Sequence, residues 1–332
     1  MATYIDPSFF SYEKPKENKN RFLYNTSCGV SGMSLRIDGE RLAIHSHLPK
    51  RMFSDCLFFV KDSKGVELSH SQKFDKYSHD MIYHIPNLPD GDYYLSVYSK
   101  STTDDKYYSF LDERHVPLNI SAGKAQFRTS PIESHNREVL MTMGTSSIMS
   151  SALSASDLIQ KDNPNIKNLA KEITNGIDDE YEKIKNIHAW VARNIYYDKD
   201  SYVSQSHVNK DNSAVGTRVG QKGVCRGYTN LTAALLRSEG IPAVALSVYT
   251  LGGIKDGGWD SPENKDASGN HIIPVARIKD RWLIMDPTWD SPNNYEHKYY
   301  GGGNGVKYPY RYFDASIEFI SQTHKFERAW NI

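Results

Sequence analysis

Cys225 follows a glycine turn in the stretch Gly223-Val224-Cys225-Arg226-Gly227-Tyr228, which runs into the apolar Leu231 to Leu236. A thiol that opens a helix is easily ionised, because the first-turn N–H groups and the positive end of the helix dipole both favour the thiolate. Tyr228, Leu231, Ala234 and Leu235 recur at helical spacing and predict one buried stripe. Gly240 predicts a left-handed end to this helix, and Pro242 forbids its continuation. Taken alone, Cys225 is as readily a small buried hydrophobe. Two downstream residues tip the balance. His271 begins a strand pattern running to Ile278, and Asp286 ends a second one that starts at Trp282. If Lys279-Asp280 is a two-residue hairpin loop, Ile278 faces Arg281 and Ile273 faces Asp286. His271 then projects from the same face two residues further on, and such diagonal neighbours lie about 7–8 Å apart, within reach of a His–carboxylate hydrogen bond. A three-residue loop would put the two on opposite faces unless a bulge restored the phase. Pro274 hints at an edge or bulge and leaves the register open, and Asp286 by itself could simply start the Pro287-Thr288 turn. A thiol, an imidazole and a carboxylate in this order, each at the start or end of an element, point to nucleophilic catalysis.

The elements that must position these groups follow from the chain as a whole. Its 332 residues suggest two domains. Lys plus Arg and Asp plus Glu both total 40, so no basic field advertises nucleic acid or a membrane surface. No apolar run approaches the roughly 20 residues of a membrane span. The first thirty residues lack the apolar core of a signal peptide, which points to the cytoplasm, or to the cell surface or secretion if a leader has been removed. Cys28, Cys56 and Cys225 are too few for a disulfide scaffold and lack zinc-module spacing. Pairing of Cys28 with Cys56 would leave Cys225 as the free thiol, and a reducing compartment would leave all three free.

Residues 1–20 read as a polar arm. Across 21–128, short runs such as Cys56-Leu57-Phe58-Phe59-Val60 and Tyr93-Tyr94-Leu95-Ser96-Val97-Tyr98 alternate with turn chemistry such as Pro89-Asp90-Gly91-Asp92. They predict an antiparallel β-sandwich, immunoglobulin-like in its strand spacing. His45 and His47 would share one strand face there, a pattern open to a metal but more ordinary as solvent-facing decoration. Residues 129–160, rich in Ser, Thr and Met, read as an interdomain linker before a domain spanning 161–332. Asp179 with Glu182 predicts a helix cap. The stripe Tyr181, Ile184, His188, Val191 and Ile195 then holds one helical face, with His188 and Trp190 read as core and rim. A long polar loop over 201–222 leads to Cys225, and a strand follows over Ala243 to Thr250. The glycine-rich 251–270 segment lacks a phosphate-binding pattern and reads as a flap over a cleft.

These residues resemble the transglutaminase-like superfamily of bacterial type, whose core is papain-like. The resemblance rests on the Cys225 stretch, on His271 and on Trp282-Leu283-Ile284-Met285-Asp286-Pro287-Thr288-Trp289-Asp290, with support from residues 187–198 and 312–326. It covers about 180–327 and implies an α+β chain, a sandwich followed by that core. Carried onto this sequence, it implies Cys225 as nucleophile, His271 as general acid and base, and Asp286 as the group orienting the imidazole. Tyr197 takes the position of a side-chain donor to the oxyanion, while Trp190, Gly227, Tyr228 and Trp289 fall in the substrate cleft. The implied reaction is attack on a peptide or glutamine-type amide through a thioester, with hydrolysis (protease or deamidase) favoured over cross-linking. The chain departs from the family where Ile272-Ile273-Pro274 follows the histidine in place of an Ala-Trp pair. It shows neither the acidic cluster of the calcium-dependent members nor the paired cysteines of a zinc module, so no metal or cofactor is expected. The expected partners are a protein or peptide substrate and, through the sandwich, a partner protein. A protein-binding or scaffolding module with a vestigial core is the alternative, and the intact Cys, His and Asp set argues against it.

Overall fold

Turn residues and β-branched runs in the first third of the chain form antiparallel strands, as the sequence predicts. The computed structural model describes residues 21–23, 33–38, 41–46, 53–62, 67–72, 80–84, 87–101, 108–110, 116–144, 146–251, 259, 271–291 and 312–330. The chain divides into two units. The first comprises Met1–Ser134, Leu251–Ala267 and Ser316–His324, and the second His135–Thr250, Ser268–Ala315 and Lys325–Ile332.

In the first unit the strands are β1 (Arg21–Leu23), β2 (Met33–Asp38), β3 (Arg41–Ser46), β4 (Phe53–Asp62), β5 (Glu67–Gln72), β6 (Asp80–His84), β7 (Gly91–Ser101), β8 (Tyr108–Phe110), β9 (Val116–Ser121) and β10 (Lys124–Phe127). One sheet has the order β1-β2-β3-β6, and the other β10-β9-β7-β4-β5 with β8 beside β7. Cross-strand neighbours such as Val60 and Leu95, or Ile120 and Ala125, bury one face of the larger sheet together with Tyr93, Leu118 and Phe127. The Asp90 carboxylate accepts the Ala122 and Gly123 N–H groups, which ties two turns together. The polar arm, Cys28, His47 and most of the 251–270 flap lie outside the described residues, as do the side chains of His45 and Cys56.

The second unit follows its predicted elements at the core and departs from them in two connecting stretches. The segment read as a linker holds two helices, α1 (Pro131–Thr142) and α2 (Ser146–Ser151). On α1 the Asn136 side chain accepts the Phe326 N–H at 2.7 Å, and the His135 ring bonds the Phe326 carbonyl at 2.7 Å. Polar composition there serves an edge-strand backbone, not a free tether. The helices α3 (Pro164–Ile173) and α4 (Glu180–Asn194) start on Asn163 and on the predicted Asp179 cap, whose side chain accepts the Glu182 N–H. Ile184, His188, Val191 and Ile195 are fully buried, as their spacing requires. After β11 (Tyr196–Tyr197), the stretch read as a loop folds into α5 (Lys199–Val203), a 3-10 turn over Ser206–Asn209 and α6 (Ala214–Gly220). Asp198 and Ser213 cap the two helices. Next come β12 (Lys222–Gly223), α7 (Cys225–Ser238), β13 (Ala243–Thr250), β14 (His271–Ile278) and β15 (Arg281–Ile284). The short α8 (Ile317–Ile320) belongs to the first unit, β16 (His324–Trp330) follows it, and the sheet runs β15-β14-β13-β16.

Helix α7 is buried nearly all round, Arg226 being its exposed residue. Its stripe residues join Ile166, Leu169, Ile184, Ile187, Leu283 and Phe313 in one core. Gly240 takes the left-handed conformation (φ 78°) that the helix end required. Gly227 lets α6 approach, because a Cβ built there would lie 2.6 Å from the Thr217 hydroxyl, and Thr217 is itself fully buried. The variant Gly227→Ala is therefore expected to destabilise the fold by about 1–3 kcal/mol, the range for overpacked cores. Thermal unfolding of wild type and variant measures it, and an unchanged midpoint would contradict this packing.

Candidate active site

The position of Cys225 is set from its N-terminal side. Val224 is extended (φ −86°, ψ −178°) with no side-chain cap, so Cys225 is the first helical residue of α7. Parallel pairing of β11 with β12 sets Tyr197 opposite Gly223, and the Asp198 N–H donates to the Gly223 carbonyl at 3.0 Å. The buried Asp198 carboxylate accepts the Ser201 hydroxyl at 2.6 Å and the ammonium groups of Lys210 and Lys222 at 2.8 and 3.0 Å. Burial raises its pKa, but these contacts and the Ser201 N–H win and hold the carboxyl well below the usual range. A charged knot thus gathers residues 198–222 beside the strand that delivers Cys225.

The histidine is set from β14. Its pairing with β13 runs unbroken from Ala243 opposite Ala276 to Val248 opposite His271. Pro274 therefore introduces no bulge on this side, and on the other it lies one residue beyond the last rung with β15, Val275 opposite Ile284. The two-residue turn holds, with Ile278 opposite Arg281 and Lys279 in the left-handed conformation (φ 51°). The expected rung between Ile273 and Asp286 does not form. Strand β15 ends at Ile284, Met285 bridges to Phe313, and the Asp286 N–H donates to the Tyr312 carbonyl at 3.0 Å. The carboxylate nevertheless reaches the histidine, with His271 Nε2 to Asp286 Oδ2 at 2.7 Å.

Asp286 makes both kinds of contact that the sequence left open. Its Oδ2 holds the imidazole, while its Oδ1 accepts the Thr288 and Trp289 N–H groups at 2.9 and 3.1 Å. With Nε2 engaged, Nδ1 is the nitrogen left for the Cys225 thiol, which bonds the same imidazole. Cys225 and His271 are 8% exposed and Asp286 is fully buried, so the three groups meet at the edge of the solvent. Burial disfavours the imidazolium, but the Asp286 carboxylate, by charge and by hydrogen bond, and the Cys225 sulfur outweigh it and raise the His271 pKa to about 10. The Thr229 hydroxyl, one turn beyond Cys225, donates to the Ile272 carbonyl at 2.9 Å and so locks the helix that carries Cys225 to the strand that carries His271.

Of the residues assigned to the cleft, Trp289 meets the triad, its ring centroid 5.9 Å from that of His271 and packed edge-on against Tyr312. Tyr228 does not line a cleft, because it is fully buried and its hydroxyl donates to the Ile195 carbonyl. Gly227 packs against Thr217. Trp190 is half-buried beneath the Arg218 guanidinium, 5.3 Å from its ring. Tyr197 is half-buried, its ring 6.2 Å from that of Tyr202. The sequence reading missed a second buried pair, His188 Nε2 to Asp290 Oδ2 at 2.9 Å. It also missed the Arg281–Asp314 ion pair, which the Tyr181 hydroxyl joins at 3.3 Å. An aspartate in the apolar Trp289-Asp290 stretch and a histidine on an apolar stripe were the available signals.

Residues 167–287 match the family model described as the transglutaminase-like superfamily, the family that the motifs resemble. No curated protein matches the chain in sequence. Among solved structures the chain is similar to a candidate cysteine protease from Cytophaga hutchinsonii, at 16% identity and a TM-score of 0.34, covering 71% of this chain and 73% of that one. It is also similar to red sea bream transglutaminase, at 13% identity and a TM-score of 0.28, covering 87% of this chain and 54% of that one. A DUF3244 family protein from Bacteroides vulgatus with an immunoglobulin-like β-sandwich fold aligns over 20% of this chain and 69% of its own, at 22% identity and a TM-score of 0.17. At these scores the overlap in space is too partial to bear on the chemistry. Among the described residues no helix is long and apolar enough to cross a membrane.

Because folding raises the His271 pKa from 6.5 to about 10, its stabilisation is fully present below pH 6.5 and is lost as pH rises through about 10. Thermal unfolding between these limits is expected to show a fall in midpoint that His271→Gln removes; parallel curves for the two proteins would contradict the pairing. Separately, Thr229→Val leaves the Ile272 carbonyl without its hydroxyl partner and is expected to cost about 1–3 kcal/mol, read by denaturant unfolding.

Proposed function

We propose that the transglutaminase-like core of this chain is a thiol enzyme acting on peptide or glutamine-type amides, with hydrolysis favoured over cross-linking. One observation carries the reading: a cysteine at the first position of a buried helix bonds a histidine whose other nitrogen is held by a buried carboxylate at 2.7 Å. A thiolate beside an imidazolium is an activated nucleophile at neutral pH, and the carboxylate fixes which nitrogen faces the sulfur.

In this reading Cys225 Sγ attacks the amide carbonyl, and the new C–S bond pushes charge onto the carbonyl oxygen. The Cys225 backbone N–H, at the positive end of α7, stabilises that oxyanion. Tyr197 is the candidate side-chain donor, supported by its pairing opposite Gly223, two residues before the nucleophile. His271 then gives its Nδ1 proton to the departing nitrogen, the C–N bond breaks, and a thioester remains. Water loses a proton to His271 as it attacks the thioester, which releases the acid and restores the thiolate. An amine in place of the water would give cross-linking. Water is the default acceptor wherever the site does not exclude it, and the solvent-edge position of Cys225 and His271 favours it. Trp289, tilted beside His271 with ring centroids 5.9 Å apart, supports a hydrophobic wall for the bound substrate. For the first unit we retain the immunoglobulin-like sandwich reading, supported by its two antiparallel sheets and the one-sided burial of Val60, Tyr93, Leu95 and Leu118.

Iodoacetamide labelling read by intact mass tests the proposal without a known substrate. Cys225 is expected to alkylate rapidly near pH 6, well below the ordinary thiol pKa of about 8.5, and His271→Ala is expected to slow it by about tenfold or more. Labelling of Cys225 no faster than that of a free thiol at the same pH, in wild type and variant alike, would sink the reading.

A further inference from the structure

The second buried histidine–carboxylate pair, His188 with Asp290, has no place in the reaction above. Burial of two ionisable side chains at 0% and 3% exposure is costly unless their geometry is put to use, and an apolar pair of similar volume would pack more cheaply. The hydrogen bonds of Asp290 show where that geometry is spent. Its Oδ2 accepts from His188 Nε2 at 2.9 Å and from the Tyr312 N–H at 2.9 Å, and its own N–H donates to the Asp286 carbonyl at 3.1 Å. The Tyr312 carbonyl in turn accepts the Asp286 N–H at 3.0 Å. Both backbone groups of Asp286 are therefore held in a closed circuit with Asp290 and Tyr312. His188 anchors that circuit to α4 and packs on Phe313 with ring centroids 5.2 Å apart. Tyr312 also packs against Trp289, the ring that covers His271.

We propose that His188 and Asp290 are a positioning pair, which fixes the 286–290 turn so that the Asp286 carboxylate meets His271 and the Trp289 ring covers it. The catalytic consequence rests on the thiol-enzyme reading, whereas the structural consequence does not. Asp286 and Cys225 are the titratable groups that raise the His271 pKa. Asp290→Ala and Asp290→Asn remove the same charge, so a larger change with the alanine reports the placement of Asp286 and not the loss of a nearby charge.

The test measures the His271 titration midpoint by imidazole NMR in a Cys225→Ala background, where the thiol contributes nothing. Asp290→Ala and His188→Phe are expected to lower the midpoint by about one pH unit or more. Asp290→Asn keeps an acceptor for the Tyr312 N–H and should lower it less. Leu169→Ala, in the core on α3, serves as a variant of comparable thermal destabilisation and should leave the midpoint in place. If Asp290→Ala does not fold, Asp290→Asn and His188→Phe carry the comparison alone. Midpoints unmoved beyond that of Leu169→Ala would reduce the pair to a packing role and overturn the proposal. Alkylation of Cys225 in the unmodified background separates the two claims. Slow labelling of the wild type with a shifted midpoint in the variants rejects the enzyme and keeps the positioning pair. Fast labelling with an unmoved midpoint does the reverse.

Discussion

A helix buried nearly all round must find partners for the polar side chains it carries, and the way α7 does so aims its one open end. Thr229 bonds the Ile272 carbonyl, Asn230 the Asn212 carbonyl and Thr232 the Tyr228 carbonyl one turn back. Arg237, at the other end, donates to the carbonyls of Ala243 and Ser154. Each bond replaces water lost on burial, and those of Thr229, Asn230 and Arg237, which reach residues outside the helix, could not be made with the helix rotated or slid by a turn. The rotation that satisfies them also brings Cys225 to His271. The meeting of Cys225 and His271 thus depends on the polar bonds that orient a single buried helix.

The carboxylate side of the site obeys the same constraint. An aspartate buried to 0% exposure needs several donors, and Asp286 takes three: one imidazole nitrogen and two N–H groups of its own turn. The turn-forming role and the imidazole-orienting role are compatible because they use different oxygens. This division also explains why the carboxylate reaches His271 although β15 stops two residues earlier. The turn, not the sheet, sets the last part of its direction.

Much of this was legible beforehand, because it depends on neighbours in sequence. The Asp179 cap, the buried stripe of α4, the left-handed Gly240 and the two-residue turn at Lys279-Asp280 are all local consequences of residue type. The helices within 131–151 and 199–220 were not legible, since their polar composition reads as loop unless the distant partners of Asn136 and Asp198 are known. Tyr228 misled for the opposite reason. Its place close to Cys225 suggested a cleft, while its hydroxyl had a carbonyl 33 residues away to satisfy.

The residue order by itself determined the candidate nucleophile, base and carboxylate, since a thiol at a helix start and a His and Asp at strand ends follow from local periodicity and turn chemistry. Only the tertiary structure decided that Asp286 reaches His271 through a turn, that Thr229 ties α7 to β14, and that His188 meets Asp290 across 102 residues. The physical reason is that burial creates these bonds. A hydroxyl, an imidazole or a carboxylate shows no preference in sequence for one distant partner, and it gains one only when packing removes the water that would otherwise serve.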